Sequence, residues 1–304
     1  MSNHGMSGSV RRAWAGAAIL VLGALAPVRA EMPAGPHSPA PFAAAATATA
    51  VHPTAAQPAQ PAALHPATAP ISATCDAPTD LTRLDHPLVR TAQRLASGKP
   101  LTIVAIGSSS TAGAGASSPA ASYPSRLALE LEKLFPGRDI RVLNRGVNGE
   151  ETPDMMARFA TSVLAERPQL VLWQLGTNSV LRDQPLRPHA AEVREGIERL
   201  KKAGFDVVLI DPQYAPKVLA KPETPGMVEQ IALAAKDENV DLFRRFAVMH
   251  DWYAGQHRSF EVFVSQDGLH MNDWGYACWA KLLAASLAEA ARQPIASAAA
   301  QGTN

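Results

Sequence analysis

Between residues 99 and 291 short apolar runs alternate with longer stretches whose apolar positions recur at helical spacing. The runs are Leu101–Ile106, Ile140–Leu143, Leu170–Leu175, Val207–Ile210 and Val240–Phe243. They are apolar almost throughout, with no polar residue at every second position, which is the signature of strands covered on both faces. The stretches between them read as amphipathic helices. Arg126–Phe135 draws its apolar face from Leu127, Leu129, Leu131 and Leu134 and stops at Pro136-Gly137. Thr152–Ala165 opens with Pro153 in its first turn. Ala190–Ala203 is closed by Gly204. Two more follow, near Gly226–Asp237 and from Trp274 to Ala291. Strand then helix, five times over, predicts an α/β fold: a five-stranded parallel sheet between two helical layers. The flavodoxin-like strand order 2-1-3-4-5 is the simplest doubly wound arrangement, and it places ligands beyond the carboxyl ends of the strands. Chemistry is therefore to be sought in the loops after strands 1, 2 and 3.

The two ends of the chain break this pattern. Arg11-Arg12 precede an apolar run from Ala13 to Pro27, and Val28-Arg29-Ala30 follows. That is the three-part layout of a cleavable export signal covering residues 1–30. A membrane anchor is the alternative, but the run falls short of the roughly 20 residues a spanning helix needs. Residues 31–74 hold 16 Ala and 9 Pro, no Lys or Arg, and Glu31 as their one acid. Such a segment has nothing with which to build a core and reads as a disordered linker. Its His37, His52 and His65 are widely spaced and read as solvated, with metal capture as the alternative. Residues 294–304 read as a disordered tail, which leaves 75–293 as one folded domain.

Charge changes the picture only after this division. The whole chain carries +1. Removing residues 1–30 removes Arg11, Arg12 and Arg29 and no acid, so the mature chain stands at −2. A mildly acidic secreted or periplasmic protein has no electrostatic case for nucleic acid or for stable association with an anionic membrane. Cys75 and Cys278 bracket the folded domain. In an oxidising compartment they are a disulfide candidate, with two free thiols as the alternative.

The loops after the strands carry the candidate chemistry. Strand 1 is followed by Gly107-Ser108-Ser109-Ser110-Thr111, strand 2 by Asn144-Arg145-Gly146-Val147-Asn148-Gly149-Glu150, and strand 3 by Gly176-Thr177-Asn178-Ser179. Asp267-Gly268-Leu269-His270 precedes the last helix. In the order 2-1-3 the first three loops are neighbours. These four segments resemble, in order and in spacing, the motif blocks of the SGNH (GDSL-type) serine hydrolases, and the resemblance spans the whole folded domain. It implies an esterase with Ser109 as nucleophile, Asp267 and His270 completing a triad, and Gly149 and Asn178 as oxyanion-hole donors. Two positions depart from the family's pattern: Ser108 and Ser179 each stand where that pattern has an aspartate. Met271 replaces a frequent proline, while Asn272 and Gly275-Tyr276 again match.

The residue types suit those roles. A serine hydroxyl becomes a competent nucleophile when a base takes its proton, and an imidazole, with an ordinary pKa of about 6.5, is that base. An aspartate three residues earlier can accept a hydrogen bond from Nδ1–H and fix the tautomer. The Ser109 and Gly149 N–H groups and the Asn178 side chain would supply donors for a tetrahedral oxyanion. Each residue also has a plainer alternative: a turn serine for Ser109, a turn glycine for Gly149 with Gly146 competing for its role, a loop-capping amide for Asn178, and a helix cap and surface histidine for Asp267 and His270.

Export and the lack of a long apolar lid point to short acyl groups, such as acetyl, on a carbohydrate or cell-wall polymer. The alternatives are a lipase or lysophospholipase, a polysaccharide O-acyltransferase using the same triad, and a non-catalytic glycan-binding protein. The stretches 112–122 and 211–225 are candidate substrate walls; Tyr214, Trp173, Trp252 and Trp274 are candidate sugar-stacking rings, with buried core the more expected role for most of them. No cofactor is expected: Gly113-Ala114-Gly115 is not completed by a glycine at 118, there is no Gly-Lys-Ser/Thr phosphate loop, and no His/Cys/Asp/Glu group has metal-ligand spacing.

Overall fold

The structure, a computed structural model, describes residues 74–293. The export-signal, linker and tail assignments fall on residues 1–73 and 294–304, outside the described part. Five strands form one sheet: β1 (Leu101–Gly107), β2 (Ile140–Gly146), β3 (Leu170–Gln174), β4 (Asp206–Ile210) and β5 (Asp241–Phe243). Their order is β2-β1-β3-β4-β5 and every pairing is parallel, as the apolar runs predicted. Gly107 pairs with Gly146, and Ile106 pairs with both Arg145 and Trp173. The carboxyl ends of the first three strands are therefore level, and their loops leave side by side.

Each central strand feeds two cores. Leu101, Ile103 and Ala105 of β1, with Leu170 and Leu172 of β3, pack on one face against Leu127, Leu131, Trp279 and Leu283. Val104, Ile106, Val171 and Trp173 point the other way, onto Val193, Ile197, Leu200, Met227 and Ile231. The helices Tyr123–Leu134 and Asp273–Ala290 thus cover one face, and Leu186–Lys202 and Thr224–Asp237 the other. This is the expected three-layer α/β/α sandwich.

Several local expectations are corrected. The Tyr123–Leu134 helix buries Leu127 and Leu131, four residues apart, whereas Leu129 is 49 % exposed and Leu134 36 %. The helix expected over 152–165 breaks into Thr152–Ala157, Phe159–Ser162 and a 3₁₀ turn. The break falls at Arg158, whose guanidinium reaches back to Glu150 and to the Arg145 carbonyl. The helices Val89–Ala96, Thr177–Leu181 and Arg245–His250 were not foreseen. Cys75 and Cys278 are joined in a disulfide with a Cα–Cα distance of 5.3 Å, tying the start of the described chain to the last helix. Among the described residues no helix is long and apolar enough to cross a membrane.

Candidate active site

β1 ends at Gly107 and the chain turns through Ser108 into a single helical turn, Ser109–Ala112. That turn lies hard against β2. A Cβ on Gly146 would stand 2.1 Å from the Ala112 nitrogen, so only glycine permits this approach. Gly146 is thereby accounted for as a packing residue. Gln174, the last residue of β3, braces the turn from its other side: its Oε1 accepts from Ser108 N at 3.0 Å, Ser108 Oγ at 3.2 Å and Thr111 Oγ1 at 3.2 Å. This gives a physical reason for Ser108. An aspartate there would set its carboxylate against an amide oxygen that already faces the turn.

Ser109 is half-buried and its Oγ lies 2.8 Å from His270 Nε2. His270 Nδ1 lies 2.5 Å from Asp267 Oδ2. With Nδ1 facing a carboxylate, the imidazole proton sits on Nδ1, and Nε2 is the acceptor for the Ser109 hydroxyl. Asp267 Oδ1 accepts from Ser265 Oγ at 2.7 Å, Leu269 N at 2.8 Å and His270 N at 2.9 Å. Partial burial alone would raise the Asp267 carboxyl. The hydrogen bonds from His270, Ser265 and the backbone overturn that and hold it well below the usual carboxylate range. Ser109 is thus brought, across 161 positions of sequence, into one hydrogen-bonded row with His270 and Asp267.

The remaining two candidates lie on the segments that follow β2 and β3. Asn178 lies in the short helix after β3, and its Nδ2 donates to the Glu150 carbonyl at 2.8 Å. A primary amide has two N–H bonds, so a second one remains for a ligand. Gly149 has a φ of 80°, a left-handed conformation that suits glycine. Its carbonyl accepts from Arg182 at 2.8 Å, while Arg182 also meets Glu151 at 2.6 Å. Arg158 grips Glu150 through contacts of 2.6 to 2.9 Å. Asn178, Arg182 and Arg158 therefore pin the 149–151 loop. Neither arginine was singled out in the sequence, where Arg158 reads as an ordinary charged position on a helix and Arg182 as one in a loop.

Other groups are set aside by their surroundings. His189 is buried, with Nε2 3.0 Å from Thr152 Oγ1, and burial pushes its pKa down to about 4, so it stays neutral. Trp173 and Trp252 are fully buried and cannot stack on a sugar; Tyr214 and Trp274 are half-buried. Two hollows open beside the loops that carry these candidates. One of about 200 Å³ is lined by Glu151, Ser179, His189 and Glu192 on the Asn178 side. The other, of about 500 Å³, is lined by Pro216, Phe260, Ser265 and Gly268 on the Asp267 side. Among the described residues no group of three or more His, Cys, Asp and Glu side chains could hold a metal ion.

Known proteins resemble this chain at both levels. An arylesterase from Vibrio mimicus is 32 % identical over 95 residues, which cover 31 % of this chain and 46 % of the relative. An acetylxylan esterase from Geobacillus stearothermophilus is 30 % identical over 94 residues, covering 28 % of this chain and 43 % of the relative. The chain thus spans under half the length of these curated relatives. Among solved structures, a two-domain esterase active on acetylated mannans superposes with a TM-score of 0.60 at 19 % identity, over 70 % of this chain and 56 % of that one. At that identity the match speaks for the fold. The profile of the non-GDSL lipase-like family matches residues 74–293, the same span that carries the sheet, the Ser109–His270–Asp267 row and the Gly107-Ser108-Ser109-Ser110 turn. With that span matched from end to end, the chain belongs to the non-GDSL lipase-like family.

Proposed function

We propose that this protein is a carboxylic ester hydrolase that removes short acyl groups, acetyl foremost, from a carbohydrate. The observation that carries the reading is the continuous row Ser109 Oγ, His270 Nε2, His270 Nδ1, Asp267 Oδ2. His270 takes the Ser109 proton as Oγ attacks the ester carbonyl. The resulting oxyanion is met by the Ser109 and Gly149 N–H groups and the second Asn178 N–H bond. Collapse expels the alcohol, which receives its proton from His270 and leaves an acyl group on Ser109. Water, deprotonated by His270, then attacks that acyl group, and a carboxylic acid departs. Asp267 stays ionised throughout and keeps His270 in the required tautomer.

The carbohydrate assignment draws its support from the names of the relatives, an acetylxylan esterase and an esterase active on acetylated mannans. The hollow lined by Ser265, Gln266 and Gly268, the neighbours of Asp267, would give part of a glycan room to lie. We further infer that the enzyme works outside the cytoplasm. The signal-like pattern of residues 1–30 supports this, as does a disulfide, which persists in oxidising compartments.

The test is hydrolysis of p-nitrophenyl esters of increasing chain length, followed by acetylated xylan and mannan, with Ser109→Ala as control. Release of acetate by the wild type and its loss in Ser109→Ala is the expected result. Turnover retained in Ser109→Ala would refute the mechanism, and a preference for long acyl chains would move the assignment to a lipase.

A further inference from the structure

Gln213 lies just beyond the carboxyl end of β4, is 1 % exposed, and belongs to none of the motif blocks. Its Oε1 accepts from Thr177 Oγ1 at 2.9 Å, from the Arg245 guanidinium at 2.9 Å and from Ser110 Oγ at 3.5 Å. Its Nε2 donates to the Leu269 carbonyl at 3.1 Å. Thr177 immediately precedes Asn178, Ser110 immediately follows Ser109, and Leu269 immediately precedes His270. One amide therefore touches the chain neighbour of the candidate nucleophile, of an oxyanion donor and of the base.

Arg245 fixes which way this amide points. The arginine is fully buried, donates from Nε to the Asp211 carbonyl at 2.9 Å, and lies 4.8 Å from the centre of the Trp279 ring. A guanidinium only donates, so the amide oxygen must face it, and the amide nitrogen is left to face the Leu269 carbonyl. Rotating the amide by half a turn would set donor against donor at Arg245 and acceptor against acceptor at Leu269. The orientation is determined from both ends, inside a region where an unmade hydrogen bond is expensive.

We propose that Gln213, oriented by Arg245, is a positioning residue that sets the distance between Ser109, His270 and Asn178. The proposal rests on the esterase reading above. Each of the three loops also has contacts of its own, but among the hydrogen bonds described here only Gln213 touches all three. Its contribution is the registration of groups whose reaction depends on separations held to a fraction of an ångström.

The test is Gln213→Glu. It keeps the size and the acceptor for Arg245 and Thr177, and removes the donor to the Leu269 carbonyl. Reactive sites are counted by labelling Ser109 with a fluorophosphonate, and p-nitrophenyl acetate turnover is expressed per labelled site. The expected result is kcat per site lower by about 10- to 100-fold, with KM within about 3-fold of wild type. A merely structural role would reduce the number of labelled sites and leave turnover per site unchanged, and that result overturns the proposal. Thr177→Val, which removes one donor to the same oxygen without adding charge, should lower kcat per site in the same direction by a smaller factor. It decides the matter if Gln213→Glu does not fold, and wild-type turnover per site in Thr177→Val would then overturn the proposal. A wild-type protein that neither turns over esters nor is labelled overturns the esterase reading and this proposal together. An active, labelled wild type beside an unimpaired Gln213→Glu overturns this proposal alone.

Discussion

Asp267 holds His270 twice: Oδ2 meets the imidazole Nδ1 at 2.5 Å, and Oδ1 accepts the backbone N–H of the same residue at 2.9 Å. One carboxylate thus fixes both the ring and the peptide that carries it. Ser265 and Leu269 also donate to Oδ1, so that oxygen is committed to three donors and Oδ2 to the ring. In Asp267→Asn the amide oxygen should remain with the three donors, which turns the new NH₂ toward His270 Nδ1. The ring must then accept at Nδ1 and carry its proton on Nε2, facing Ser109 with a donor where an acceptor is needed. The expected loss in kcat is about 10³- to 10⁴-fold, with the fold unchanged by circular dichroism. Steady-state kinetics on p-nitrophenyl acetate measures it, and a loss below about 10-fold contradicts the tautomer argument.

Asn178→Ala removes both the proposed oxyanion donor and the tie to the Glu150 carbonyl. A drop in kcat of about 10²- to 10³-fold is expected, with KM changed only a few-fold, because the donor acts on charge that develops after binding. An effect confined to KM would instead mark Asn178 as a substrate-binding amide.

Gly146→Ala tests the contact between β2 and the Ser109 turn. The added carbon would fall 2.1 Å from Ala112 N and 2.6 Å from Thr111 C, both backbone atoms that cannot rotate away. Overpacking of this kind costs about 1–3 kcal/mol, and Ser109 has to shift with the turn. A lower Tm together with strongly reduced turnover is expected, and calorimetry with the esterase assay reads both. A variant with wild-type Tm and turnover would mean that the two segments are not in close contact.

Asp211 makes stability depend on pH. Burial pushes its carboxyl from the ordinary 3.8 up to about 7, against the opposing pull of the Phe246 N–H and of Arg245 and Arg244. The folded state therefore binds this proton more tightly than the unfolded chain does. The associated stabilisation is complete below about pH 4, declines between pH 4 and 7, and is gone above. Asp211→Asn keeps an acceptor for Phe246 but has no proton to lose. Between pH 4.5 and 7.5 the wild type should lose stability relative to Asp211→Asn, by an amount on the order of 2–4 kcal/mol. Urea midpoints at the two pH values test this, and parallel curves for the two proteins would contradict it.

The Cys75–Cys278 disulfide closes a loop across 203 positions of sequence. The chain-entropy relation assigns a loop of that size about 5 kcal/mol at most, and native disulfides generally contribute about 2–5. Replacing Cys75 and Cys278 together by alanine should lower the urea midpoint accordingly, while kcat stays within about 2-fold, because neither cysteine belongs to the hydrogen-bonded Ser109 row. An unchanged midpoint would show that the unfolded chain gains nothing from being released.

The sheet order and the Ser109–His270–Asp267 row were legible because they rest on local signals. Apolar runs of four to six residues mark buried parallel strands, and short polar blocks follow those strands at fixed places. The break at Arg158 was hidden because it depends on Glu150 and the Arg145 carbonyl, which approach only after β2 is in place. Gln174 and Gln213 were hidden for a related reason. A buried glutamine has no periodicity and no motif of its own, and its partners lie between 32 and 103 positions away along the chain. Ring type alone does not report depth, and Trp173 and Trp252 take the core role that was the more expected of their two readings.

The cystine also alters what a protease can do to this protein. From Cys75 to Cys278 the polypeptide is a closed covalent circuit. A single cut anywhere along that circuit opens it without separating the pieces, so a nicked molecule keeps its mass until it meets a reductant. Outside the cytoplasm, where peptidases are encountered and thiols are scarce, the hydrogen-bonded ends of a nick would stay tethered and free to close again around an intact Ser109 row.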